Sequence, residues 1–238
     1  MDVENEVEMS SSELDRRAML GAGALAAAAL TAAPAQAQPA QGPAFQTKPL
    51  PFNPAAVPGL SEKLLRSHYD NNYTGAVRRL GQIEAQLAGL TPASAPGFQL
   101  NGLKREELIA WNSMILHEVY FASLGQPSAP AGGLAAALER DFGSHDRWAA
   151  EFSSTGKALG GGSGWVLLTW SPRDRRLVNT WAADHTQTLA GGAPLLALDM
   201  YEHAYHMDFG AAAGAYVDAF MKAINWRSAS EAYTRLAA

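Results

Sequence analysis

An α+β fold follows from three observations on the sequence. Two long stretches in the N-terminal half carry apolar residues at helical spacing, three short runs after residue 160 are rich in β-branched, leucine and aromatic residues, and helical spacing returns at the C-terminal end. The expected architecture is an N-terminal helical hairpin, 60–125, followed by a C-terminal α+β part, 126–238, with a three-stranded antiparallel sheet and flanking helices.

The first helix is expected through LSEKLLRSHYDNNYTGAVRRLGQIEAQLAGL, with Ser61 as N-cap and Leu64, Leu65, Val77, Leu80, Ile83 and Leu87 at helical spacing. A second runs over about 103–124, ending at Gly125. Shorter helices follow at about 131–141 and, capped by Ser144, at 145–157. GWVLLTW, RLVNTWA and APLLALD read as the three strands, separated by the turn residues Ser171 to Asp174 and by Gly191-Gly192. Helices are expected again over about 211–224 and 228–237.

Before the folded part the chain reads as an address. Arg16-Arg17 precede a small-residue apolar stretch from Ala18 to Ala33, and Ala35-Gln36-Ala37 has the small-x-small form of a signal-peptidase site. The apolar stretch is shorter than the roughly 20 residues of a spanning helix. The paired arginines resemble a twin-arginine signal, so 1–37 is expected to direct export to the periplasm or beyond, with no stable membrane insertion after cleavage. Residues 38–59, rich in Pro, Ala and Gln without apolar period, read as a flexible tether.

Composition removes several classes. A net charge of −5 without a basic run argues against a nucleic-acid partner. With no cysteine, the chain has no disulfide scaffold, no thiolate nucleophile, no iron–sulfur cluster and no structural zinc site built on sulfur. A metal would have to be held by nitrogen and oxygen.

The chain has six histidines. His68 falls in the first long helix, His117 in the second, and His203 four residues after Asp199 at the end of the third strand. Two antiparallel helices and a sheet exit can bring three imidazoles and one carboxylate to one point, a donor set that suits iron, manganese or zinc. Spacing alone leaves open both a metal site and hydrogen-bonded core histidines.

GSGWVLL at 162–168, PLLALDMYEHAYHMDF at 194–209 and INW at 224–226 resemble the C-terminal half of the iron/manganese superoxide dismutases, whose signature is D-x-W-E-H-A-Y; Tyr201 stands here for Trp. SHYDNNYTGAV and LHEVYFASLG are similar to the two N-terminal ligand helices of that family. The resemblance implies one manganese or iron ion per subunit on His68, His117, Asp199 and His203, with a water or hydroxide as fifth ligand, and superoxide as substrate. It implies a homodimer in which Glu202 reaches the ligand histidine of the other subunit, with Trp165 and Tyr201 as walls of the metal pocket. Zinc is excluded under this reading, because it has no accessible redox step.

The sequence also departs from the family pattern. Ala76 stands where the family has a channel tyrosine, and Tyr73, three residues earlier and on a different face, is the nearest phenol. Asn72 and His206 replace a His–Tyr pair that the family places across its interface, and Ala213 replaces an arginine of the substrate funnel. Ser113 is too short to serve as the family's hydrogen-bond donor from the second ligand helix. His185 resembles a histidine that some members supply from the loop before the third strand. His185 and Tyr73 are therefore the candidate catalytic residues beside the ligands. Two functions are expected from this pattern: an exported dismutase, or a dismutase-like metal-binding protein with little turnover.

Overall fold

The computed structural model describes residues 45–238. The expected signal and the first part of the expected tether lie outside the described residues. The rest of that tether, 45–59, is a correction to the sequence reading, because it is seated on the helices. Val57 is buried, Leu50 and Phe52 pack against the core, and Phe45 meets the Trp111 ring edge-on at 5.4 Å. Apolar residues without a period still remove area from water when the chain runs extended over an apolar surface.

Helix α1 (Glu62–Ser67) begins at Ser61, whose hydroxyl accepts the Leu64 N–H at 3.0 Å. It does not run on as one α-helix. His68–Tyr73 form a π-helical turn before α2 (Thr74–Ala88). The burial pattern shows the effect: His68 is followed on the inner face by Tyr73, five residues on, and Asn72, which an α-helix would have placed there, is half-buried. Two side chains bond to carbonyls in the turn, the Asn71 amide to Ser67 O at 2.9 Å and the Thr74 hydroxyl to Asp70 O.

Helix α3 (Gly97–Ala122) starts after Pro96, earlier than apolar spacing indicates, since proline sets its own φ for entry. It packs antiparallel on α2, and Leu80, Ile83 and Ala110 fill the seam. Helices α4 (Gly132–Phe142) and α5 (His145–Ala158) follow, α5 capped by Ser144 as expected. The sheet comprises β1 (Trp165–Ser171), β2 (Arg176–Ala182) and β3 (Ala193–Asp199), with β1 central. Every residue of β1 is buried, so both faces of the sheet's centre are covered. The short α6 (His206–Phe209), then α7 (Ala213–Ala223) and α8 (Arg227–Leu236) complete the chain.

The antiparallel register decides what meets at one end of the sheet. Trp165 opens β1 opposite Ala182, the last residue of β2, and opposite Asp199, the last of β3. The chain enters β1 through Gly164, at φ 138°, where a Cβ would come within 2.1 Å of Ala182 O. Only glycine fits that approach. One apolar core, from Val57 to Tyr233, runs beneath this end and joins the N-terminal helices to the sheet.

Candidate metal centre

Four polar side chains come together in that core. One donor atom each from His68, His117, Asp199 and His203 lies within 4.8 Å of all the others. Each arrives on a different support: His68 at the head of the π turn, His117 on α3, Asp199 at the end of β3, and His203 in the short 3-10 turn Glu202–Ala204. Asp199 Oδ2 faces Nε2 of His68 at 3.1 Å, of His203 at 3.1 Å and of His117 at 3.5 Å. Its Oδ1 accepts the Tyr201 N–H at 2.8 Å, which fixes the carboxylate and turns the chain toward His203.

The hydrogen bonding indicates what this cluster can hold. His117 Nδ1 donates to Ser113 O at 2.6 Å, so in the neutral ring Nε2 carries a lone pair, and that buried atom has no hydrogen-bond partner among the described residues. It faces a buried carboxylate oxygen, an acceptor against an acceptor. A cation between them removes the conflict. His68 Nδ1 is also buried, with no hydrogen-bond partner among the described residues.

The protonation states agree with metal binding. Burial pushes the His117 imidazole down to about 3, with the His68 ring adding to the effect, and burial likewise lowers His68. Burial alone would raise Asp199, but the His203 and His68 imidazoles outweigh it and hold the carboxyl far below its usual range. Neutral imidazoles beside an ionised carboxylate are the ligating forms. Three nitrogens and one oxygen, with no sulfur, fit iron or manganese.

Around the ligands stands an aromatic wall. Trp165 is fully buried, 5.2 Å from the His117 ring and nearly perpendicular to it. Its indole N–H donates to His185 Nδ1 at 3.0 Å. An indole can only donate, so neutral His185 carries its own proton on Nε2. Burial lowers the pKa of His185, which keeps it neutral. Tyr201 lies between two imidazoles, stacked on His185 at 4.7 Å and on His203 at 5.4 Å.

The other residues singled out by sequence fall in two places. Asn72, Glu202 and His206 lie at or near the surface, and among the described residues none of their side chains bonds within the chain. Tyr73 is a correction. Its hydroxyl accepts the Lys48 N–H at 2.8 Å and donates to Glu118 at 3.1 Å, and burial, with Glu118 beside it, pushes the phenol up to about 12. The π turn rotates Tyr73 into the seam between α3 and the 45–52 segment, and its hydroxyl is engaged there and not at the ligands. Sequence reasoning also missed Asn112, whose amide donates to His185 O at 2.6 Å, and the pair Ser61–Asp208. Both are contacts between residues more than 70 positions apart, for which no local signal exists.

The family model for the C-terminal domain of iron/manganese superoxide dismutases matches residues 130–232. A curated protein of Cupriavidus metallidurans named as an iron superoxide dismutase is 67% identical over 194 residues, covering 82% of this chain and 97% of that protein. The chain belongs to the iron/manganese superoxide dismutases. Within that family it is also 33% identical over 199 residues to a manganese superoxide dismutase of Haloarcula marismortui, covering 79% of this chain and 92% of the relative. An iron superoxide dismutase of Aquifex pyrophilus is 31% identical over 190 residues, covering 76% and 88%. Helical hairpin, three-stranded antiparallel sheet and flanking helices are thus those of an iron/manganese superoxide dismutase, with the His68, His117, Asp199 and His203 cluster at its centre.

Proposed function

We propose that this chain disproportionates superoxide at the His68–His117–Asp199–His203 cluster, one molecule being oxidised to oxygen and a second, with two protons, reduced to hydrogen peroxide. The observation that carries the reading is Asp199 Oδ2 facing three imidazole Nε2 atoms, with His117 Nε2 buried and unpaired. A bound iron or manganese ion supplies a reversible one-electron step and Lewis acidity. Iron is the first expectation, since the relative at 67% identity is named for it.

The chain's own residues do the rest. His68, His117 and His203 present neutral imidazoles, and Asp199 contributes the one negative charge. The Trp165 bond and the Tyr201 stack keep the His185 ring beside the pocket with its Nε2 proton available as a hydrogen-bond donor to solvent there. Trp165 and Tyr201 exclude bulk water from the inner side.

Metal content and dismutation rate measured together on the purified protein test this reading. About one equivalent of iron or manganese with rapid turnover supports it. Full metal with negligible turnover selects the second reading, a metal-binding protein, which is favoured by the absence of a phenol at Ala76 and of a guanidinium at Ala213.

Glu202, His206 and Asn72, whose side chains make no hydrogen bond among the described residues, suit a symmetric interface next to His203, and light scattering on the wild type and on Glu202→Ala reads whether the protein is a dimer and whether Glu202 holds it. Export to the periplasm or beyond rests on Arg16-Arg17 before the apolar stretch. Replacing both by lysine should hold the precursor in the cytoplasm, and unchanged export would refute the twin-arginine route.

A further inference from the structure

His185 sits on the loop between β2 and β3. That loop braces itself: Asp184 Oδ1 accepts both the Thr186 N–H at 2.7 Å and the Thr186 hydroxyl at 2.6 Å, and Gln187 Oε1 accepts the Ala183 N–H at 3.0 Å. None of these bonds fixes the loop relative to the helices. Among the described residues one side chain of α3 hydrogen-bonds to it, Asn112, through the 2.6 Å bond from its amide to His185 O. Asn112 is half-buried and lies five residues before the ligand His117 on the same continuous helix. The other end of His185 is held at the ring, by the Trp165 indole and by the stack on Tyr201.

From this geometry we infer that Asn112 is a positioning residue, tying the backbone of His185 to the helix that carries His117 so that ligand and proton donor keep one relative placement. The inference rests on the reading of His185 as the donor beside the pocket. A rigid α3 makes it work: with the ring anchored to the sheet side and the carbonyl to the helix side, the imidazole has no free hinge. Ser113, the next residue on α3, cannot replace the ring as donor, because its hydroxyl lies 3.4 Å from His117 Nδ1 on the inner face. Asn112 therefore acts through His185 and does not touch the reacting atoms.

The test uses metal-loaded enzyme with Asn112→Ala, His185→Ala and both together. Asn112→Ala should keep a full equivalent of metal, lose about tenfold in turnover, and show in its crystal structure a His185 ring displaced from Tyr201. On the His185→Ala background, Asn112→Ala should be silent, because coupled residues are not additive. Asn112→Asp, similar in size but without an N–H to donate, is the second variant if the alanine form does not fold, and should displace the ring in the same way. A ring that stays stacked on Tyr201, or an equal loss of turnover on both backgrounds, overturns the inference. Unchanged turnover in His185→Ala would instead sink the donor reading of His185, while the ring position would still decide what Asn112 does.

Discussion

Asp208 accepts two hydrogen bonds of 2.7 Å from Ser61, one from the backbone N–H and one from the hydroxyl. The same hydroxyl caps α1 by accepting the Leu64 N–H. One carboxylate, five residues beyond His203, thus fixes the start of the helix that leads to His68. Asp208→Ala should lower stability by about 1 kcal/mol, a fall of about 2–4 °C in Tm, and should speed metal loss to a chelator. An unchanged rate of metal release would show that this link does not hold the two ligand segments together.

Removing a ligand separates folding from metal binding. His117→Ala deletes a buried ring from a site built on four separate elements, and leaves Asp199 facing two imidazoles. The variant should keep its helical circular dichroism while binding much less than one equivalent of metal. A full equivalent would remove His117 from the ligand set.

The buried imidazoles set an acid limit. His68 and His117 have pKa values lowered by burial relative to 6.5, so at low pH the unfolded chain takes up protons that the folded chain refuses. Their contribution is intact above about pH 6.5 and is lost as pH falls, by about 1.4 kcal/mol per pH unit for each ring. Metal retention should fall in the same direction, because protons compete for the ligating nitrogens. Thermal melts and metal content between pH 7 and pH 4.5 check this, and stability that is flat or rises on acidification would contradict it.

Ala213 tests electrostatic capture. It is buried beside Gly160, where a Cβ on the glycine would lie 3.3 Å from the Ala213 Cβ. Ala213→Arg puts a long side chain at a buried alanine and should cost about 1–3 kcal/mol of stability. The added charge should raise the second-order rate with superoxide at low salt, and the gain should shrink as the Debye length falls to about 10 Å at 0.1 M. A rate independent of ionic strength would show that attraction of the anion is not what limits this enzyme.

The strands and most helices were legible from local pattern. RLVNTWA and APLLALD coincide with β2 and β3, and Ser61 and Ser144 cap the helices expected of them. Helical spacing and strand-type composition between turn residues are properties of each segment by itself, and a cap needs only its own next turn, so none of these requires knowledge of the rest of the fold. The four candidate ligands were legible for a different reason. Cysteine is absent, histidine is scarce, and the block around Asp199 and His203 carries a family signature. What local pattern left open, the tertiary structure decided. The π turn is a compromise between the helix before His68 and the seam that Tyr73 must fill, and no single stretch states both demands. The seating of residues 45–59 depends on apolar surface offered by α3 and the π turn. The His185 tether to Asn112 and the Asp208 bonds to Ser61 join residues 73 and 147 positions apart. Sequence alone determined which elements form and which donors are available; only the packing of α3 against the sheet end, driven by one shared apolar core, determined which of those side chains meet.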